Sequence, residues 1–203
     1  MKPICFLGTS LERLREFPDD ARQDAGYQLD RVQRGEQPDD FKPMASIGRG
    51  VEEIRVRDDR GADPCHLHGA LCRRGLCAAR LSEKDANHRT AGHRHRQRAL
   101  FGTHKRAEMK KSKPKSYKSV WDAIADTPEQ AANLRARAEL MRQIAAIVKR
   151  NKWTQTKAAS QCGITQPRMN DLLRGRVSCF SLDALVNIAT AIGRRVHVEL
   201  DLA

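Results

Sequence analysis

Apolar residues recur at helical spacing along two long stretches of the chain. The first stretch runs from Asp19 to about Gln33, directly after Pro18, and the second runs to about Arg150. Thr127 and Pro128 mark the start of the second, because a capping threonine followed by proline favours a helix N-terminus. The apolar positions that define the two helices are Ala21, Ala25, Leu29 and Val32, then Leu134, Ala138, Met141, Ala145 and Val148.

Shorter patterns predict strands at both ends of the chain. Residues 4–7 and 51–56 favour two N-terminal strands, and Ser10 is predicted to cap a short helix between them. Residues 195–202 alternate strictly between apolar and polar side chains, which predicts a terminal strand. Residues 63–106 show neither period. They hold six of the seven histidines and three of the six cysteines, and we expect a basic, poorly ordered linker there.

Residues 154–175 predict two short helices that cross closely. Thr154 and Thr165 are placed to cap them, and Gly163 permits the left-handed backbone of a tight turn between them. Gly175 ends the second helix, and a further helix capped by Ser181 follows, running to about Ile192. Two short helices joined by such a turn are typical of a helix-turn-helix, whose second helix enters the major groove of DNA.

The second short helix carries side chains suited to base edges. Glutamine and asparagine pair with adenine and arginine pairs with guanine, so we expect base contacts from Gln166, Arg168 and Asn170. Phosphate contacts are expected from Gln155, Lys157, Arg174 and Arg176, which would contribute affinity but little sequence information. The alternative is that these side chains simply face solvent on a helical domain that does not bind DNA.

The predicted terminal strand lacks a partner in its own domain. Pairing with the same strand of a second copy would satisfy its backbone and create a two-fold axis that matches a palindromic operator, with half-sites about 34 Å apart. The apolar residues expected to form this homodimer contact are Val196, Val198, Leu200 and Leu202.

From about Tyr117 onward the chain resembles the XRE family of Cro/CI-type, lambda-repressor-like regulators, and more closely the HigA-type antitoxins. The resemblance rests on ordered motifs at residues 121–126, 154–155, 164–168, 172–175 and 180–185. It implies a DNA-binding, dimeric repressor that controls a toxin–antitoxin operon, with a HigB/RelE-like toxin as a possible partner.

Residues 2–62 resemble the first half of HigB/RelE-like toxins, in particular the phage-derived Gp49-like group. The motifs are Lys2-Pro3-Ile4, Phe6-Leu7-Gly8, Asp24-Ala25-Gly26, Pro38, Phe41-Lys42 and residues 50–55. Those toxins cleave mRNA on the ribosome, and the resemblance places basic residues at Lys42 and Arg55, where RNA contact is one interpretation and a solvated face is the other. After Ala62 the expected strands do not follow.

A frameshift would account for this break. The stretch from Pro64 to Asp85 can be encoded so that reading one nucleotide later gives Arg-Val-Ile-Tyr-Met-Ala and then a run ending in Phe-Gln-Lys-Lys-Thr, as the toxins would continue. We hypothesise that residues 63–106 are out-of-frame toxin sequence that joins a truncated toxin to an antitoxin beginning near Met109. The nucleotide sequence of the gene tests this hypothesis directly.

Composition supports a polyanionic partner. The formal net charge is +13 and the pI is about 9.9, which favours nucleic acid. No apolar run reaches the ~20 residues of a membrane span, and without a recognisable signal peptide we expect a cytoplasmic protein with reduced thiols. Cys162 and Cys179 are expected to act as small hydrophobes.

Metal and catalytic alternatives are less favoured by the pattern. The cysteines and histidines at residues 65–77 could suggest zinc, but they lack the paired Cys-x-x-Cys spacing of a structural site. The run His93-Arg94-His95-Arg96 is either a nucleic-acid patch or a solvated basic stretch. We therefore expect no metal, no cofactor and no enzymatic activity; the alternatives are an mRNA interferase fused to its antitoxin and a non-functional fusion.

The predicted fold class is α+β. It combines a truncated toxin-like α/β remnant over residues 1–62 with a linker over 63–115. An all-α, lambda-repressor-like helix-turn-helix domain with a C-terminal strand follows over 116–203.

Overall fold

The computed structural model of the protein describes residues 1–44, 51–56, 65–72, 75–82 and 115–198. The described strands are β1 (Ile4–Phe6), β2 (Phe41–Pro43), β3 (Val51–Val56), β4 (Cys65–Cys72), β5 (Gly75–Ser82) and β6 (Lys115–Tyr117). The described helices are α1 (Ser10–Arg15), α2 (Asp19–Gln33), α3 (Val120–Ile124), α4 (Pro128–Arg150), α5 (Gln155–Cys162), α6 (Gln166–Arg174) and α7 (Leu182–Ala191), with a 3-10 helix at Val177–Cys179. The fold is α+β, as predicted.

Within the described residues, six strands form one sheet in the order β2-β3-β4-β5-β1-β6. The strands β2 to β5 pair antiparallel in sequence order, and β1 then pairs parallel with β5, with Ile4 opposite Leu76. β6 pairs antiparallel with the other side of β1, where Tyr117 lies opposite Ile4. The strand that leads into the C-terminal helices therefore completes the N-terminal sheet.

The N-terminal predictions are largely confirmed. β1, α2 and β3 lie where the patterns place them, and Gly35 follows α2 with a φ of +84°. Ser10 differs from the prediction because it is the first residue of α1 and is buried, while Thr9 precedes the helix without a side-chain capping bond.

The prediction that residues 63–106 lack regular structure is wrong for two parts of that segment. The backbone forms β4 and β5 there, paired with each other and with β3 and β1. The physical reason is that strands on both sides offer unpaired N–H and C=O groups, and satisfying them does not require an alternating side-chain pattern. The sheet is consequently not left with β1 or β3 as an open edge. The rest of the segment, and every side chain of β4 and β5, lie outside the described residues.

The C-terminal helices begin and end at the predicted signals. Thr127, Thr154, Thr165 and Ser181 each accept a hydrogen bond from the backbone N–H three residues later, at 3.2–3.4 Å. Gly163 and Gly175 adopt φ of +66° and +77° after α5 and α6. These are the left-handed positions at which an L side chain would be strained.

A single hydrophobic core spans both halves of the chain. Its members include Ile4, Leu14 and Leu29 from the N-terminal elements and Trp121 and Leu172 from the C-terminal ones, each at most 2% exposed. Phe6 and Tyr117 meet edge to face, with ring centres 6.1 Å apart. The predicted remnant and the C-terminal helices are thus packed together.

The C-terminal strand is not formed over the described part of its predicted range. Residues 194–198 have no regular structure, and residues 199–203, with Leu200 and Leu202, lie outside the described residues. A strand needs a neighbouring strand, and the described part of this single chain places none beside residues 194–198. Among the described helices, none combines the length and the apolar character needed to cross a bilayer.

Candidate nucleic-acid interface

The helix α6 presents a polar face to solvent. Met169 and Leu172 on its inner side are 0% exposed, and Thr165 caps its N-terminus. Ala158 and Ala159 of α5 are buried small residues, which lets α5 pack closely against its neighbours. The left-handed Gly163 joins α5 to α6. The crossing of the two helices is therefore determined by this glycine, by the Thr165 cap and by the buried residues between the helices.

Three of the predicted nucleic-acid contacts lie together on one side of α6. The Gln155 side-chain amide donates to Asn170 Oδ1 and the Gln166 amide donates to Gln155 Oε1, both at 3.5 Å. Gln155 and Gln166 are exposed and Asn170 is half-buried. Because these bonds are longer than a good N–H···O bond, the amides can exchange them for other partners at little cost.

Arg168 points to the opposite flank of the helix. Its guanidinium carbon lies 5.1 Å from the centre of the Phe180 ring, a cation–π contact. At 3.6 residues per turn, positions 168 and 170 are about 160° apart around the helix axis. The structure therefore does not bring Arg168 together with Gln166 and Asn170, although the Arg168 side chain is itself exposed.

Two residues outside the predicted site also lie on the outward face of α6, which they share with the predicted phosphate contact Arg174. Pro167 is exposed there, and Asp171 is half-buried with its carboxylate 3.3 Å from Arg176. Burial raises the pKa of Asp171, and the nearby Arg174 and Arg168 act against that rise. The outward face of α6 could have been inferred from the sequence, because it lies opposite the apolar residues Met169 and Leu172.

The predicted phosphate contacts differ in accessibility. Lys157 and Arg174 are exposed, whereas the Arg176 side chain is only 12% exposed and forms the ion pair with Asp171. Arg176 is therefore less accessible to a phosphate than Lys157 and Arg174, because the chain after α6 turns back against the N-terminal unit.

Comparison with known families decides what the C-terminal helices are. Residues 123–201 match the family model described as a helix-turn-helix domain. The C-terminal region is a helix-turn-helix domain. Residues 12–63 match the model described as phage derived protein Gp49-like, so the N-terminal unit is a Gp49-like region. No curated protein is similar enough to this chain to give a match.

These two findings support a DNA-binding regulator with a link to toxin–antitoxin systems. The Gp49-like match ends at residue 63, where the sequence analysis places the break from the toxin pattern. As the second helix of the helix-turn-helix, α6 is its recognition helix.

The Gp49-like region contacts the C-terminal end of the recognition helix. The Gln28 amide of α2 donates to the Arg174 carbonyl at 2.9 Å. The Tyr27 ring lies against Gly175, leaving no room for a Cβ atom at that glycine. Ser178 of the 3-10 helix donates to the Asp24 carboxylate from its hydroxyl at 3.1 Å and from its N–H at 3.4 Å.

A cleft of about 240 Å³ opens beside these contacts. Among the described residues, its charged lining consists of three carboxylates and three guanidiniums: Asp24, Asp39 and Asp40, and Arg55, Arg174 and Arg176. Burial raises the pKa of Asp24 to about 6, with the Ser178 hydrogen bonds and Arg176 opposing the rise. Arg55 is paired with Glu53 at 3.2 Å, and Lys42 lies on β2 without lining the cleft.

A second junction surrounds Trp121. Its indole N–H donates to the Asp30 carboxylate at 3.2 Å, and its ring lies against Gly26 so closely that a Cβ there would sit 2.8 Å from Trp121 Cζ3. The Gln33 amide donates to the Lys118 carbonyl at 3.2 Å and its oxygen accepts from the Val120 N–H at 2.9 Å. All of these α2 positions lie along one stripe of the helix.

The helix-turn-helix domain has an apolar groove on the side formed by α4 and α7. It encloses about 480 Å³, and its lining includes Ile147, Val186 and the tail residue Val196. Val196 is half-buried against the core, whereas Val198 is 81% exposed. Both predicted dimer residues of the described tail therefore line the groove, but Val198 keeps most of its surface open to solvent.

In the part of the chain whose side chains are described, no three His, Cys, Asp or Glu residues are arranged to hold a metal ion. The residues considered for zinc over 65–77 lie outside that part. Cys162 is buried and Cys179 is exposed, so the expectation of a small hydrophobe fits the first and not the second.

Proposed function

We propose that the protein is a sequence-specific DNA-binding repressor of the antitoxin type, which acts as a dimer on its own operon. The observation that carries the proposal is the amide cluster that Gln166 and Asn170 of the recognition helix form with Gln155 of α5 in a helix-turn-helix domain. Amide side chains placed at the end of such a helix can read adenine in the major groove. The net charge of +13 supports association with DNA.

The first experiment measures binding of the full chain to DNA from upstream of its gene and to random DNA of the same length. Gln166→Ala, Asn170→Ala and Arg168→Ala are each expected to cost about 1–3 kcal/mol on the upstream DNA and little on random DNA. Asn133→Ala removes an exposed amide from α4 and serves as the matched control. Equal losses on both DNAs would contradict base recognition by the variant residue.

Lys157 and Arg174 are assigned to the phosphates. Their replacement by glutamine is expected to weaken binding to both DNAs and to lower the slope of log affinity against log salt by about 1 each. Arg176→Gln is expected to change the slope less, because its side chain is already paired with Asp171.

The dimer contact is assigned to the tail and the groove between α4 and α7. A tail that leaves Val198 81% exposed and continues through an alternating apolar pattern would gain a partner strand from a second copy. Light scattering after gel filtration is expected to show a dimer for the wild type and a monomer for Val198→Lys. Ser160→Lys on the exposed face of α5 is the control and should stay dimeric.

The second candidate is a toxin-derived ribonuclease, favoured by the presence of β4 and β5 in the sheet. Strands that follow β3 remove one reason for judging the Gp49-like region incomplete. Incubation of the full chain with mRNA on ribosomes tests this candidate: cleavage by the wild type that is lost in Arg55→Gln would establish it. Growth that is unaffected by expression, with no cleavage, would reject it.

A further inference from the structure

The C-terminal end of the recognition helix is held by side chains from outside the helix-turn-helix domain. Gln28 hydrogen-bonds the Arg174 carbonyl, Tyr27 packs on Gly175, and Asp24 accepts two bonds from Ser178. All three come from α2 of the Gp49-like region. Their partners Arg174, Gly175 and Ser178 lie within a five-residue stretch that begins with the last residue of the recognition helix.

The N-terminal end of the same helix is built differently. Thr165 caps it from within the domain, and its side chains there, Gln166 and Arg168, are exposed. Nine residues at 1.5 Å each make the recognition helix about 13 Å long. A tilt of 10° about one end therefore moves the other by about 2 Å, which is more than a base-edge hydrogen bond tolerates.

The contact from α2 is well formed. Gly175 adopts φ +77° with the Tyr27 ring directly over it, so the turn after the helix and the ring fit each other closely. Gln28 is 7% exposed and is itself fixed by Asp39, whose N–H donates to Gln28 Oε1 at 3.0 Å. On the domain's own side, Arg137 of α4 donates to the Phe180 carbonyl at 3.0 Å, so the segment after the helix lies between α4 and α2.

We propose that Gln28 and Tyr27 are positioning residues for DNA recognition: by fixing the C-terminal end of the recognition helix, the Gp49-like region sets how well the domain distinguishes its operator from other DNA. This inference rests on the proposed function. It gives the Gp49-like region a role in DNA binding without requiring that it touch DNA or retain ribonuclease activity.

The test compares two glutamines of α2 in the full chain. Gln28→Met removes the bond to the Arg174 carbonyl and preserves side-chain length. Gln33→Met is the matched control, because Gln33 also bonds backbone groups of the C-terminal half, but at residues 118–120, away from the recognition helix. Affinity for the upstream DNA and for random DNA is measured for each variant over a range of salt concentrations, along with its stability to urea.

Gln28→Met is expected to lower the ratio of specific to random affinity about tenfold, with an unchanged salt slope. Gln33→Met is expected to be destabilised to a similar extent with the ratio unchanged. Tyr27→Leu should lower the ratio, and the conservative Tyr27→Phe, which keeps the ring over Gly175, should restore it. A purely structural role would lower stability in both glutamine variants and leave both ratios unchanged.

Three outcomes would overturn the inference. The ratio stays at the wild-type value in Gln28→Met, or it falls equally in Gln33→Met, or Gln28→Met binds both DNAs more tightly, which would indicate that α2 obstructs DNA. In each case the wild type still prefers its upstream DNA, so the proposed function stands. If the wild type shows no preference for that DNA, the proposed function fails and the positioning role fails with it.

Discussion

The two sides of the helix-turn-helix domain differ in burial and in hydrogen bonding. The side that faces α2 is closed: Trp121 is 0% exposed, its N–H is bonded to Asp30, and Gly26 gives it space that no larger residue would leave. The side with Gln155, Gln166 and Asn170 is open, and its amides are joined only by contacts of 3.5 Å. The closed side therefore determines stability, and the open side is free to determine binding.

The largest effect is expected from removing the indole at the closed side. Trp121→Ala deletes a fully buried aromatic side chain and leaves Asp30 without its N–H partner, which should cost about 3–5 kcal/mol in the free energy of unfolding. Urea unfolding followed by circular dichroism measures it. Trp153→Ala, at a half-buried position between α4 and α5, is the control and should cost clearly less. Equal losses would mean that the junction around Trp121 adds nothing to the core.

Alanine substitutions at two glycines with the same backbone conformation distinguish the cost of backbone strain from the cost of a steric clash. Gly163 and Gly175 both have left-handed φ, but a Cβ would meet open space at Gly163 and the Tyr27 ring at Gly175. Gly163→Ala is expected to cost about 1 kcal/mol from strain alone, and Gly175→Ala about 2–4 kcal/mol because the ring must also move. The difference should shrink when Tyr27→Ala is added to Gly175→Ala. A difference that persists would exclude Tyr27 as its cause.

The pH dependence of stability reports on the contact between Asp24 and Ser178. Because the pKa of Asp24 is raised to about 6 in the folded protein, the folded state binds more protons than the unfolded state between about pH 4 and 6, and this carboxyl makes the protein less stable as pH rises through that window. Asp24→Asn should therefore be more stable than the wild type by about 3 kcal/mol at pH 8, with the gain vanishing below pH 4. Urea titrations of both proteins across this range measure it.

The Ser178 hydroxyl provides the control for that titration. It donates to Asp24 and opposes the rise of the Asp24 pKa, so Ser178→Ala should move the transition to higher pH. The shift should disappear in the double variant with Asp24→Asn. A gain in Asp24→Asn that is the same at every pH would exclude titration of this carboxyl.

Most helices and the left-handed turns could be predicted from the sequence, because their signals are local. Thr127, Thr154 and Thr165 cap helices through bonds to a residue three positions away, which a single sequence displays. The junction could not be predicted in this way. Nothing local at Gly26 or Gly175 shows that Trp121 or Tyr27 will lie against it, since these pairs are far apart in the chain.

For the candidate site, the sequence indicates the residue types but not their arrangement. Residue types suited to bases can be read from the sequence, but whether they share one side of a helix depends on which face is buried. The buried Met169 and Leu172 place Asn170 and Arg168 on opposite flanks. Pairing likewise determined β4 and β5, because their strand partners come from β1 and β3 and not from their own side-chain pattern.

The smallest effect on stability is expected from alanine substitutions on the open side, and these variants test the contrast between the two sides most directly. Gln155→Ala, Gln166→Ala and Asn170→Ala each remove only long, exposed amide contacts, so the free energy of unfolding should change by less than about 0.5 kcal/mol. The affinity of the Gln166 and Asn170 variants for the upstream DNA should nevertheless fall by about 1–3 kcal/mol. Urea unfolding and DNA titration on the same samples measure both quantities. If these alanines cost as much stability as they cost affinity, the amides support the fold and the open side is not a recognition surface.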